Sequence, residues 1–293
     1  MVWFSMIVLL VSMSSFTTHA GESADVSTQQ KVHTLIWDLG GVITGVSWAR
    51  YASCIGLQTF LSYMAFDWRL PHYACKVRSF EVLERVILPG SVSCPHGPCL
   101  PHGVAMPPVM VAYQAGFLSR EQILPLVYDA TDTLSKESFF SSSYEKTLII
   151  RTIEEMFNPE ALIFSNYFFS EGVELIQSLA SQTFEDGTRR YKLYVLSNWE
   201  PISFQTLCKA FPWLFSCFDG IVVSGLVGMM KPSLDLFEYI IKTYGIDKAT
   251  AIFIDDQEEN IKAAQSYGIG NALLFKSFTQ LKQDLVACEV TIS

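Results

Sequence analysis

Basic residues are scarce in this chain. Twenty Lys and Arg stand against 29 Asp and Glu, a formal net charge of −9 with the five histidines neutral. Such a balance repels the phosphate backbone of nucleic acids and the anionic face of a membrane, so neither is expected as a partner. If the substrate is itself an anion, a local cation is needed to offset the protein's own field, and a divalent metal is the simplest source. Cysteine is also too sparse for a disulfide scaffold, with seven in 293 residues. Cys94 and Cys99 bracket Pro-His-Gly-Pro, with His102 close by, but a zinc site lacks a second well-spaced ligand pair. In an exported protein the expectation for Cys94 and Cys99 is a disulfide closing a short loop. Cys54, Cys75, Cys208, Cys217 and Cys288 read as ordinary core or surface thiols. Internal repeats and low-complexity tracts are lacking too.

No Lys or Arg precedes the apolar run Val2–Met13, and that run is short for a membrane span. The small residues Thr18 and Ala20 suit a signal-peptidase site before Gly21. Residues 1–20 are therefore expected to be a signal peptide and 21–31 a polar leader. The mature protein is then exported, periplasmic or secreted, with no stable membrane span; without cleavage, the segment is an anchor or a cytoplasmic strand. Oligomeric state leaves no mark in the sequence.

What the chain has is apolar material, at half of its residues, enough for a large core. Its organising stretch is Thr34-Leu35-Ile36-Trp37-Asp38-Leu39-Gly40-Gly41-Val42-Ile43-Thr44. A run of apolar and β-branched residues bounded by a glycine break predicts a buried strand ending in a carboxylate. Burying a carboxylate costs several kcal/mol unless a cation, backbone N–H groups or a chemical role compensates it. Gly40 and Gly41 let the backbone turn tightly beside Asp38, so that amides could face an anionic ligand. An ordinary Asx or glycine turn is the plain alternative.

Residues 45–164 do not alternate strand with helix. They are aromatic-rich, with helices expected around Phe80–Val86 and Arg120–Asp129 and a Pro/Gly/Cys/His-rich loop from Leu88 to Pro108. Ser119 caps the second helix, with Gln122 in the reciprocal position. From Tyr167 onward the pattern changes. Strands are expected at Tyr191–Leu196, Gly220–Ser224, Ala251–Ile254 and Asn271–Phe275. Helices are expected at Gly172–Ala180, Phe204–Phe211, after Pro232, at Glu259–Tyr267 and at Phe278–Val286. Pro232 suits a first helical position, which puts Lys231 at a helix mouth. Alternation at this spacing predicts a doubly wound α/β parallel sheet with helices on both faces.

In such sheets ligands bind at the carboxyl ends of the strands. Asp38, Ser197 and Asp255-Asp256 each follow an apolar strand run, so neighbouring strands would bring them to one crevice. Carboxylates so gathered repel each other unless a hard cation sits among them, and Mg²⁺ prefers such oxygen ligands. Lys231 and the Ser197 hydroxyl then suit a phosphoryl group, leaving Asp38 free to attack. Taken singly, Ser-Asn can be a helix cap, Lys-Pro a solvated surface pair, and Asp-Asp a helix start.

Ile36-Trp37-Asp38-Leu39-Gly40-Gly41-Val42, Leu196-Ser197-Asn198, Gly228-Met229-Met230-Lys231-Pro232 and Phe253-Ile254-Asp255-Asp256-Gln257-Glu258-Glu259-Asn260 together resemble the ordered motifs of the haloacid dehalogenase-like hydrolase superfamily, closest to its phosphatase-like branch. The resemblance implies a Rossmann-like core from 32–44 and 165–293, and a mainly helical cap domain at 45–164. It implies Asp38 as the nucleophile forming an aspartyl-phosphate. Ser197 would bind phosphoryl oxygens with backbone help at Asn198, and Lys231 would steady the charge. Mg²⁺ would be held by Asp38, Asp256 and the Gly40 carbonyl, with Asp255 at its edge or through water. Asn260 would orient the last motif. The substrate would be a small phosphorylated metabolite. Dehalogenation shares the Asp nucleophile but needs neither metal nor the Asp255-Asp256 pair.

One position departs from the pattern. The superfamily's usual phosphatases carry a second Asp two residues after the nucleophile, as general acid and base, and here that position is Gly40. Losing such a group typically costs about 10²–10⁴-fold in rate. Two expectations follow: a phosphatase in which water, a cap residue or a good leaving group substitutes, or a weak or inactive member that binds a phosphorylated ligand or a protein.

Overall fold

A computed structural model describes residues 32–55, 75–93, 99–100 and 104–292. The signal peptide and leader expected for residues 1–31, and Cys94 of the expected disulfide, lie outside the described residues. No helix among the described residues is long and apolar enough to cross a membrane.

The strands are β1 (His33–Trp37), β2 (Thr44–Val46), β3 (Cys99–Leu100), β4 (Val104–Ala105), β5 (Asn166–Phe168), β6 (Tyr191–Ser197), β7 (Gly220–Val223), β8 (Ile252–Asp255) and β9 (Asn271–Leu274). Five of them form the main sheet in the order β7-β6-β1-β8-β9. Every pairing in it is parallel, with Trp37 beside Val195 on one side and Ile254 on the other. The doubly wound parallel sheet read from the sequence is therefore the one observed. Strand order reverses at β1, and that is where a crevice opens at the carboxyl edge of such a sheet.

Alternation along the strands feeds two cores, one on each face. Leu35, Trp37, Leu193, Val195, Ile252 and Ile254 point to one side. There they meet α7 (Ser170–Ser181) through Leu175 and Ile176, α8 (Pro201–Ala210) through Phe204 and Leu207, and α13 (Phe278–Ala287) through Leu281. Ile36, Tyr194, Leu196 and Phe253 point to the other side. They meet α11 (Leu234–Tyr244) through Leu236, Phe237 and Ile240, and α12 (Glu258–Tyr267) through Ile261 and Ala264. Each large apolar side chain so buried contributes on the order of 1.5–3 kcal/mol. The central strands are dry on both faces, which leaves their ends as the place for polar chemistry.

Between β2 and β5 lies a helical layer: α1 (Trp48–Ile55), α2 (Cys75–Glu84), α3 (Pro108–Gln114), α4 (Arg120–Lys136), α5 (Ser143–Met156) and α6 (Pro159–Ser165). It carries an apolar cluster of its own, with Leu83, Val109, Ile123, Val127, Ile149 and Phe157 inside. Ser119 and Gln122 form the expected capping box at the start of α4, the Ser119 N–H donating to Gln122 Oε1 at 2.9 Å. Both chain crossings between this layer and the sheet run together, because β2 and β5 pair antiparallel with Val46 opposite Asn166. A short contact also joins the layer to the sheet side: Ser224 Oγ, in α10 (Ser224–Val227), donates to the Gln114 carbonyl at 2.7 Å.

Candidate active site

Asp38 follows β1, and the residue is 5% exposed. Its backbone N–H donates to the Ile254 carbonyl at 2.9 Å, extending the β1–β8 ladder by one step and fixing the side chain at the sheet edge. Oδ1 takes three contacts: the Leu39 N–H at 2.7 Å, Ser197 Oγ at 2.6 Å and Lys231 Nζ at 3.0 Å. The other oxygen, Oδ2, takes none of these three contacts. Ser197, the last residue of β6, is itself 1% exposed. Its hydroxyl donates to Asp38 here, the bond a phosphoryl oxygen would compete for.

The turn after Asp38 winds round one carbonyl. The N–H groups of Ile43 and Thr44 both donate to Leu39 O at 2.8 Å, and the Gly41 N–H donates to Thr44 O at 2.8 Å. The glycine pair thus differs from the expected anion-facing nest, since the Gly41 amide is already engaged in the turn. What Gly41 supplies is conformation and room. Its φ is +76°, and a Cβ there would stand 2.3 Å from Asp256 Oδ2. Gly40 is the opposite case, with no heavy atom within 4 Å of where its Cβ would be.

Lys231 departs from expectation. The helix mouth read into Lys231-Pro232 is not there: α11 begins at Leu234, capped by Ser233, whose Oγ accepts from Asp235 N–H. Pro232 lies in the preceding turn, not at a first helical position. Local sequence could not see what decides this, namely a tertiary pair from β6. Asn198 Oδ1 accepts from the Lys231 N–H at 2.8 Å, and Asn198 Nδ2 donates to the Lys231 carbonyl at 2.8 Å. Held at both ends of its own peptide units, Lys231 is 1% exposed and turns its ammonium inward. Nζ lies 2.6 Å from Asp255 Oδ2 and 3.0 Å from Asp38 Oδ1.

Asp255 ends β8 fully buried. Besides Lys231, it accepts from the Gln257 N–H at 2.8 Å and from Asn260 Nδ2 at 3.0 Å on each oxygen. Asn260, in the first turn of α12, thus holds Asp255 by both oxygens. Asp256 is exposed at the mouth. The sequence put the Asn198 backbone near the phosphoryl group but missed its side-chain clamp on Lys231. The signal was the Asn itself, a two-way hydrogen-bonding group next to a strand end.

Asp38, Asp255 and Asp256 each offer an oxygen within 4.8 Å of the others. Burial, offset by Lys231 and reinforced by Asp255, holds the Asp38 carboxyl above the usual carboxylate range. Partial desolvation, with the charges of Asp38 and Asp255, pushes Asp256 up to about 7. Burial opposes the Lys231 charge, but Asp255 and Asp38 outweigh it and hold its pKa above the ordinary lysine value. Three carboxylates against one ammonium leave an excess of two negative charges, which Lys231 cannot cancel. An all-oxygen donor set with that excess fits a hard divalent cation such as Mg²⁺.

Comparison with known proteins agrees with this geometry. A family model described as haloacid dehalogenase-like hydrolase matches residues 129–268, a stretch holding Ser197, Lys231, Asp255, Asp256 and Asn260 but not Asp38. A sesquiterpene phosphatase of Aspergillus oryzae, astK, is 35% identical over 99 residues, 33% of this chain and 50% of that protein. A drimenol cyclase of Aspergillus calidoustus, drtB, is 36% identical over 86 residues, 29% of this chain and 16% of its own length. The matches thus span half or less of these two fungal relatives. Flavin mononucleotide hydrolase 1 of Arabidopsis thaliana is 26% identical over 213 residues, 60% of this chain and 82% of that protein. Among solved structures, a HAD family enzyme of Bacteroides thetaiotaomicron superposes with a TM-score of 0.50 at 17% identity, over 84% of this chain and 94% of that one. At that identity the likeness speaks for the fold. The chain therefore resembles haloacid dehalogenase-like hydrolases over residues 129–268 and, over 33% of its length, a phosphatase.

Proposed function

We propose that this protein is a Mg²⁺-dependent phosphatase-type hydrolase that acts on a small organic phosphomonoester. The reading rests on one observation: a buried carboxylate at a sheet edge, Asp38, with one oxygen held by Ser197 and Lys231 and two further carboxylates, Asp255 and Asp256, offering oxygens within 4.8 Å. That is the arrangement of an oriented nucleophile. The names of two relatives, a sesquiterpene phosphatase and a flavin mononucleotide hydrolase, support a phosphorylated organic substrate. The helical layer would serve as the cap over it.

Asp38 and Asp256, with the Gly40 carbonyl, would hold the ion, and Asp255 would stand at its edge because its oxygens already carry Lys231 and Asn260. When bound, Mg²⁺ neutralises phosphoryl charge. Asp38 Oδ2 attacks phosphorus, the bond from phosphorus to the alcohol oxygen breaks, and the alcohol leaves with a proton from water. A water, giving its proton to the hydroxide left by the first step, then attacks phosphorus; the bond from phosphorus to the Asp38 oxygen breaks, which returns the carboxylate and releases inorganic phosphate. Ser197 moves its hydroxyl from Asp38 Oδ1 to the phosphoryl group, and Lys231 offsets charge as it develops. Asn198 keeps Lys231 in place throughout.

Gly40 supports a second reading, in which a member lacking the usual acid/base carboxylate binds a phosphorylated ligand or a protein and turns over poorly. Phosphate release with Mg²⁺ from a panel of phosphoesters, compared with Asp38→Asn, separates the two. Release by the unaltered chain alone supports the hydrolase; equal rates in both proteins, or none in either, favour binding.

A further inference from the structure

The cavity that opens over Gly40, Gly41 and Asn198 has a volume of about 570 Å³. Pockets of roughly 300–1,000 Å³ engulf a small organic ligand whole. For a protein expected to hold an anion, its walls are unusual. Among the described lining residues there is no lysine, arginine or histidine. Val46, Met110, Met156, Phe157, Leu162 and Trp199 supply apolar and aromatic surface. Methionine side chains in particular adapt to flexible hydrocarbon.

The main polar groups of the wall are already engaged. Glu200, its one acid, is 3% exposed and caps α8, taking the Ile202 N–H at 2.7 Å and the Ser203 N–H at 2.5 Å on its two oxygens. The Tyr113 hydroxyl donates to the Phe157 carbonyl at 3.1 Å, and burial raises its pKa further, so it stays neutral. Asn166 Nδ2 donates to the Leu162 carbonyl at 2.5 Å, and the Trp199 indole N–H donates to Ser203 Oγ at 2.8 Å. Asn198 is taken up at both ends by Lys231. Apart from Gln114, also in the lining, a sugar hydroxyl or a second charged group entering here would have to break one of these bonds or stay unpaired. A hydrocarbon chain meets no such penalty and gains free energy as its surface is removed from water.

We propose that the alcohol half of the substrate is uncharged and mainly hydrocarbon, lying in this cavity with its phosphoryl group at Asp38. This assignment rests on the phosphatase reading and narrows it to phosphomonoesters of terpenoid-like or other apolar alcohols, against sugar, amino-acid or nucleotide phosphates.

The test uses the full chain with Mg²⁺ and four probes: farnesyl monophosphate below its critical micelle concentration, a hexose phosphate, flavin mononucleotide and para-nitrophenyl phosphate. We expect kcat/KM for farnesyl monophosphate to exceed that for the hexose phosphate and flavin mononucleotide by tenfold or more, mainly through KM. Met110→Lys should reduce that preference by about tenfold. Release from para-nitrophenyl phosphate, with the polar esters handled as well as farnesyl monophosphate, overturns the apolar assignment and leaves the phosphatase reading standing. If no ester is turned over, the phosphatase reading falls by itself. Calorimetric binding then decides the pocket: tighter farnesyl monophosphate than hexose phosphate supports the assignment, and equal affinity overturns it.

Discussion

Gly41 and Asp256 approach so closely that a methyl group on Gly41 would overlap the carboxylate, at 2.3 Å from Oδ2. The glycine after the nucleophile's turn therefore sets where the last motif can present its acid. Gly41→Ala should fail twice: a left-handed conformation costs an L-residue about 1–2 kcal/mol, and Asp256 must move. We expect a lower melting temperature and Mg²⁺ affinity reduced tenfold or more by calorimetry. Undiminished affinity would remove Asp256 from the ligand set.

Among the described residues, Lys231 is the only cation in contact with two buried carboxylates. Lys231→Met leaves Asp38 and Asp255 without a counter-charge, a change that costs about 3–5 kcal/mol when one partner of a buried pair is removed. Urea unfolding at neutral pH should show that loss, and phosphate release should fall to background. The deficit should shrink in acid, where the carboxylates protonate. A deficit independent of pH would point to lost packing instead.

Asp256 titrates near 7 in the metal-free protein, above the ordinary carboxylate value of 3.8. Its raised pKa means that the folded state holds a proton that the unfolded state has already released. Its contribution to stability is therefore fully present below about 4 and is lost as pH rises through about 7. Added Mg²⁺ competes with that proton. Mg²⁺ affinity should therefore climb from pH 5.5 to 8 by about tenfold for each unit below 7 and then level off. Calorimetry in buffers of different ionisation heat should detect the released proton.

Gly40 has open space where a side chain would be and no positive φ to forbid one. Gly40→Asp should fold normally and place a carboxylic acid at the position the family's usual phosphatases fill. If protonation of the leaving alcohol limits the rate, kcat on an alkyl phosphate should rise by about 10²-fold or more. It should change little on para-nitrophenyl phosphate, whose leaving group needs no proton. Equal changes on the two esters would rule out the acid role.

The sheet was legible because it depends on local pattern. Apolar runs such as Leu35–Trp37 and Ile252–Ile254 read as central strands, and Asp38 and Asp255 stand at their ends. Asn260 was read from the sequence as the group that orients the last motif, and its amide donates to both Asp255 oxygens. Lys231 was not legible, since its burial depends on Asn198, more than thirty positions away in the chain, and no periodicity reports such a pairing. The Gly41 amide was misread for a similar reason. A glycine next to a carboxylate suggests anion binding, but whether its N–H is available depends on the Thr44 carbonyl. The character of the cavity was invisible as well, because its walls join residues from 40 to 200.

Val46 and Asn166 face each other across the β2–β5 ribbon, so the strands that leave and re-enter the sheet stand about 5 Å apart. A gap that narrow could be closed by a tight hairpin. The described helices between the two strands thus hang on the sheet's chain at one narrow doorway. Their length and lining could be exchanged without asking Asp38, Ser197 or Asp255 to move, so new substrates could be reached while the bond-breaking end stays as it is.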